Sequence, residues 1–169
     1  METEQAVMTA ISVREYDRGR KAEMETIRRI VDAGRMSASA MNKQPWFFIV
    51  INEAGKLKEV ADLTQTGKHI AGASFAVAVV TDPSNRYHEI DAARAVQNMV
   101  IEAWDLGLGN SWVGNMDREK IKQVLKVPPN LHLLTVLPFG YPTRKYKGRK
   151  SRKPFSETVF LGAYGSPFP

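Results

Sequence analysis

The stretch with the clearest chemical potential is Ser39-Ala40-Met41-Asn42-Lys43-Gln44-Pro45-Trp46, which runs directly into the apolar series Phe47-Phe48-Ile49-Val50-Ile51. It places a hydroxyl and two amide side chains in a loop at the mouth of a strand. Asn and Gln each end in a donor and an acceptor, which suits them to read a planar ring carrying alternating carbonyl and N–H groups. Pro45 disfavours the helical region for Gln44 and predicts an extended approach to the strand. The aromatic and β-branched run behind it predicts a strand covered on both faces. An ordinary polar loop ahead of an ordinary strand fits the same spacing.

Three further segments carry chemistry. In Ser12-Val13-Arg14-Glu15-Tyr16 a hydroxyl and a guanidinium stand two residues apart. An extended backbone would turn both to one side, where they could grip a phosphate, although a structural salt bridge would use Arg14 equally well. Gly107-Leu108-Gly109, followed by Trp112-Val113-Gly114, would let backbone N–H groups approach a ligand, or would simply end a helix. Finally, seven of the ten residues from Arg144 to Lys153 are basic, and they account for the whole net charge of +6. Such a run can neutralise one or two phosphates of a bound ligand, or lie as a solvated arm on a nucleic acid or an acidic partner. Aromatic residues hardly interleave it, which argues against nucleic acid.

Composition narrows the field. Cysteine is absent from the 169 residues, which removes disulfides, thiolate nucleophiles and cysteine-based metal sites, and is compatible with a reducing cytoplasm. Any electron transfer would therefore need a bound cofactor. His69, His88 and His132 lack paired-ligand spacing, so no metal is expected. No glycine-rich turn with dinucleotide or triphosphate spacing and no Gly-x-Ser-x-Gly occurs. No apolar run approaches the roughly 20 residues of a membrane span, and the acidic start Met1-Glu2-Thr3-Glu4-Gln5 does not resemble a signal peptide. The expectation is one soluble, cytoplasmic domain over residues 1–169.

The elements that must position these segments are legible from periodicity. After a first short helical segment, Glu23 to Arg35 reads as an amphipathic helix on Met24, Ile27, Ile30, Val31 and Gly34. Trp46 to Ile51 and Phe75 to Thr81 read as strands, separated by a helix that Asn52 is placed to cap. Asp91 opens a helix apolar around most of its circumference, hence central, and Gly107 and Gly109 end it. Asp117 caps a short helix stopped by Pro128-Pro129, and Leu133 to Phe139 is a third strand. Phe155 to Phe160 could form another. A tail with apolar residues but no evident place in its own core is a candidate for packing on a second subunit.

Taken in order, these pieces resemble the nitroreductase family of flavin-dependent oxidoreductases over nearly the whole chain. The resemblance rests on Ser-x-Arg-x-aromatic near the N-terminus, Ser-x-x-Asn-x-Gln-Pro-Trp before the first strand, and Asp91 opening a helix with Gln97-Asn98. Gly-Leu-Gly followed by Trp-x-Gly, then Gly-Tyr-Pro, then Lys-Ser-Arg-x-Pro complete it. It implies an α+β sandwich, mainly antiparallel sheet flanked by helices, with the C-terminal extension exchanged in a homodimer. It also implies FMN at the dimer interface and two-electron transfer from NAD(P)H, by a ping-pong cycle, to a small-molecule acceptor such as a nitro compound, quinone or free flavin. By position, Ser12, Arg14, Lys150 and Arg152 match a phosphate clasp; Asn42, with Gln44 beside it, matches the reader of the polar flavin edge. Ser39 matches a contact that can come from the other subunit. Trp112, Val113, Gly114 and Asn115 match the turn near flavin N5, where a donor favours the reduced ring. The flavin performs the hydride chemistry, so no catalytic acid or base is named. A flavin-binding sensor or carrier without turnover, or a basic nucleic-acid module, is the alternative reading.

Three departures stand out. Ala10 and Ile11 occupy positions where many members carry a basic residue, leaving the C-terminal run to compensate, and Ala38-Ser39 replaces a common Pro-Ser. Only Asp82 to Ile90 bridges the second strand and the central helix, where larger members insert a helical excursion. A more open flavin face follows.

Overall fold

In the computed structural model, which describes residues 3–146 and 150–169, the order is α1 (Thr3–Thr9), α2 (Met24–Arg35), β1 (Trp46–Ile51), α3 (Ala54–Asp62), β2 (Phe75–Thr81), α4 (His88–Asp105), β3 (Gly109–Asn110), α5 (Arg118–Val124) and β4 (His132–Gly140). The strands form one antiparallel sheet in the order β1-β2-β4-β3. All seven residues of β2 are buried, because helices cover both of its faces. Its alternation sorts them: Phe75, Val77 and Val79 join the core shared with α2 and α4, while Ala76, Ala78 and Val80 join the core under α3 and α5. The expected sandwich is thus present, with helices on both faces.

β4 lies beside β2 and carries one extra residue where Val79 and Val80 pair with Thr135 and Leu133. That bulge lets Leu137 and Phe139 face α4 while Leu133 and Val136 face the other layer. Phe75 and Phe139 stack with centroids 4.9 Å apart. The central helix α4 meets α2 closely because Gly34 has no side chain: a Cβ there would fall 2.3 Å from Met99 Cε and 3.2 Å from the Ala95 carbonyl oxygen.

Several expectations need correction. β1 is an edge strand with Phe47 51% and Val50 37% exposed, so it is not covered on both faces. Asn52 does not cap α3; Glu53 holds that position, and the Asn52 amide reaches Met24 Sδ instead. Met24 is itself exposed. α4 begins at His88, one turn before Asp91, because the turn through Ser84 and Asn85 feeds into it. Gly109 does not end the helix but opens β3, whereas Gly107, at φ +79°, makes the left-handed exit. Phe155–Glu157 is a single 3-10 turn, and only Phe160 bridges, to Pro167, so no strand forms across Phe155 to Phe160. Lys147, Gly148 and Arg149 of the basic run lie outside the described residues.

Candidate functional site

Ser12 and Arg14 sit on an extended segment with Val13 between them fully buried and both flanking side chains exposed, which turns the hydroxyl and the guanidinium outward together. The segment is held by a parallel bridge from Ser12 to Asn110, with Val13 N–H donating to the Asn110 carbonyl at 2.7 Å. The close approach is possible because Gly109 lacks a Cβ, which would fall 2.5 Å from Val13 Cγ2. One backbone bond therefore joins the first motif to the turn at 109–115. Arg14 forms no ion pair among the described residues.

The turn itself is anchored from both sides. Val113 is buried, and its carbonyl accepts from Thr135 Oγ1 at 3.0 Å. The Asn115 carbonyl accepts from Gln65 N–H at 3.1 Å. Val113 is bridged antiparallel to Val136, whereas the Gly114 N–H finds no acceptor among the described residues, and Trp112 stands 46% exposed beside it. A fixed turn offering a free donor is a ready place for a ligand acceptor atom. Asn110 Nδ2, next to the bridge, is buried without a partner among the described residues. Such a group costs about 1–3 kcal/mol, which marks the junction as not built for stability alone.

Sequence reasoning missed two members of this cluster. His69 Nε2 lies 2.7 Å from Ser111 Oγ, and the Tyr16 hydroxyl beside them donates to the Val13 carbonyl at 2.7 Å, with the Pro138 carbonyl at 3.3 Å. Burial pushes the Tyr16 phenol far up, so it stays a donor; burial, then the nearby Arg14 charge, pushes His69 down. Ser111 could have been noticed as a polar residue inside the glycine-tryptophan turn. Nothing in sequence ties His69 to it, because the two are 42 residues apart.

The basic run approaches the same segment. After β4 the chain runs back along residues 15–17, with Asp17 N–H donating to the Tyr141 carbonyl and Thr143 N–H to the Glu15 carbonyl, and Tyr146 packs on Val13 and Tyr16. Farther on, Lys150 Nζ donates to the Val7 carbonyl at 2.6 Å, at the negative end of α1. Ser12 and Arg14 lie between these two contacts. Arg152 donates to the carbonyl of Ser151 and lies near enough to Lys150 for charge to be felt, burial being the larger cause of the lowered Lys150 pKa. Ala10 is buried, so a basic residue would not fit there, whereas Ile11 is exposed.

The loop 39–45 lies apart from that cluster within the chain. Met41, Asn42 and Gln44 have φ of 51°, 53° and 48°, three left-handed non-glycine residues within four positions. Gln44 is therefore not extended as Pro45 led one to expect. Its N–H is captured by Ser39 Oγ at 2.9 Å, and its side-chain amide donates to the Asn42 carbonyl at 3.2 Å, which fixes the tight loop. Each such residue costs about 1–3 kcal/mol and persists only where surroundings enforce it. Buried Asp91 does so from α4, accepting the Ala40 N–H at 3.0 Å. The Asn42 side chain remains exposed and without a partner among the described residues, and Ser39 keeps its hydroxyl proton to donate.

The architecture is an α+β three-layer sandwich whose open antiparallel sheet carries these motifs at its edges. The comparisons give its family. The family model described as "Nitroreductase family" matches residues 7–81 and 61–141, so the chain belongs to the nitroreductase family. An Archaeoglobus fulgidus protein with the provisional name NADH dehydrogenase/NAD(P)H nitroreductase is 31% identical over 145 residues, covering 80% of this chain and 83% of the relative. The crystal structure of a Bacteroides thetaiotaomicron protein with the same provisional name superposes with a TM-score of 0.87 at 27% identity, covering 94% of this chain and 96% of its own. A Bacillus subtilis protein named FMN reductase (NADPH) is 40% identical over 67 residues, 38% of this chain and 26% of that protein.

Proposed function

We propose that this chain is an FMN-dependent oxidoreductase that takes two electrons from NAD(P)H and passes them to a small-molecule acceptor such as a nitro compound, quinone or free flavin, working as a homodimer. The observation that carries the reading is the bridge that joins the Ser12–Arg14 segment to the 110–115 turn, with Lys150 returning to the preceding helix at Val7, in a chain of this family. The residues present fit FMN: cations for a dianionic phosphate, an unengaged amide at Asn42 for a polar ring edge, and a free backbone donor at Gly114.

When bound, FMN supplies the hydride chemistry. Ser12, Arg14, Lys150 and Arg152 would clasp its phosphate, and Asn42, with Gln44 bracing the loop, would orient its ring. The turn from Trp112 to Asn115 would present N–H groups near N5. Ser39 and Asn42 would serve the neighbouring subunit's cofactor. Dimer formation is supported by the open edge of β1, by the exposed Phe47 and Val50, and by an apolar hollow beside Val50 lined by Met24, Ile27 and Val31. The tail that would fill it is apolar and exposed at Phe155, Leu161 and Phe168.

The test is direct. Purified protein should be yellow, and its visible absorbance should bleach on adding NADH or NADPH and return on adding an acceptor. Replacing Lys150 and Arg152 together with Gln should weaken FMN binding by about tenfold or more, while His88→Gln leaves it unaltered. Protein that takes up no FMN overturns the reading, and FMN uptake without reduction by either nucleotide would leave a binding protein in its place.

A further inference from the structure

A second cleft adjoins the strained loop. It lies between residues 41–45 and the turn 82–87 and has a volume of about 510 Å³, within the usual range of small-molecule sites, about 300–1,000 Å³. Its walls are fixed to one another. Asp82 N–H donates to the Pro45 carbonyl at 2.9 Å at one end, and Ala40 N–H to Asp91 at the other.

The polar groups of the turn are mostly consumed within it. Asp82 Oδ1 accepts from Ser84 N–H and Asn85 Oδ1 from Tyr87 N–H, both at 2.9 Å. What remains facing the cleft is Lys43 and Arg86, exposed and without an ion-pair partner among the described residues. Asp82 is the single acid among the lining residues, so the cations outnumber it two to one. Met41 and Tyr87 add an apolar side and an aromatic ring, with the Arg86 guanidinium carbon 5.6 Å from the Tyr87 ring centroid. Met41, Lys43 and Pro45 interleave with Asn42 and Gln44, so one loop serves both the cleft and the candidate flavin edge.

We infer that this cleft binds the anionic group of a planar small molecule exchanging electrons at the neighbouring site, with Lys43 and Arg86 as its charge partners, so that carboxylated or phosphorylated partners are favoured over neutral ones. The inference rests on the proposed flavoenzyme reading. The anion has two sources: a carboxylate on the acceptor, or the 2′-phosphate that distinguishes NADPH from NADH.

The experiment compares FMN-loaded wild type with Lys43→Gln/Arg86→Gln. One arm takes the ratio of kcat/KM for 4-nitrobenzoate over 4-nitrobenzamide; the other takes the ratio of flavin reduction rates at limiting NADPH and NADH. Ratios cancel any general loss of activity. A fall of about tenfold in the first identifies the acceptor carboxylate, and a like fall in the second identifies the nucleotide phosphate. Both ratios unchanged overturns the inference. If the wild type holds FMN but neither nucleotide reduces it, the enzymatic reading fails on its own. Calorimetric titration with 4-nitrobenzoate and NADPH then decides the cleft: weaker binding in the double variant sustains it, and equal binding overturns it.

Discussion

His69 meets Ser111 at 2.7 Å, and burial, with the charge of Arg14 close by, keeps its imidazole neutral below the ordinary histidine range. His132 is likewise pushed down by burial, with Glu89 opposing the shift. A histidine whose folded pKa is depressed costs stability in acid. Above about pH 6.5 both folded and unfolded forms are neutral; as pH falls below that value the unfolded chain takes the proton first. The apoprotein should therefore lose thermal stability between pH 7 and pH 5, and His69→Gln should flatten part of that decline. The carboxylates held low by hydrogen bonds, Asp82 and Asp117, act later, because their stabilisation is lost only as pH falls through about 4. Melting curves across that range check it, and an identical slope in His69→Gln would remove His69 as a contributor.

The loop 39–45 depends on a neighbouring element for its shape. Asp91 is 2% exposed in the first turn of α4, and its carboxylate accepts the Ala40 N–H. Asp91→Ala would leave that donor without its partner, at a cost of about 1–3 kcal/mol, and would release the left-handed backbone at Met41 and Asn42. Asp91→Asn keeps an acceptor oxygen. The expected result is a lower melting temperature and weaker FMN binding in the Ala variant, with the Asn variant between it and wild type; equal FMN affinity in all three would detach the loop from the flavin. The same contact explains what sequence could and could not reveal. β1 and β2 match their expected limits because aromatic and β-branched runs end at Pro45, Asn52 and Asp82-Pro83, which are local signals. The Asp117 cap was legible for the same reason, and its Oδ1 accepts the Lys120 N–H at 3.1 Å. Gln44 went left-handed because Ser39 Oγ captured its N–H, a side-chain bond that outweighed the preference imposed by Pro45. Ser12 and Arg14 reach the 110–115 turn through one bridge spanning most of the chain, and His69 through one hydroxyl. Such meetings are set by the sheet order and leave no local trace.

For the whole molecule, the tail and the β1 edge pose the same physical problem. Phe155 and Phe168 pack edge to face, and Phe160 lies over Tyr164, so the tail satisfies itself only in part: Leu161 is 56% and Tyr164 94% exposed. β1 meanwhile leaves Phe47 and Val50 open beside the hollow formed by Met24, Ile27 and Val31. Exposed apolar surface at two separate places, on an edge strand and on an extension, is covered at once if each chain lends its tail to the other. Light scattering should then give twice the chain mass of 18.9 kDa, and Leu161→Asp with Phe168→Asp should shift the population towards monomer. Because the proposed cofactor site draws Ser39 and Asn42 from one subunit and Ser12 and Arg14 from the other, dissociation must take the flavin with it. FMN affinity in the wild type should therefore fall as protein is diluted through the dimer dissociation range, and the tail variant should need more protein to hold the same FMN. A monomer binding FMN as tightly as the dimer would mean that one subunit completes the site alone.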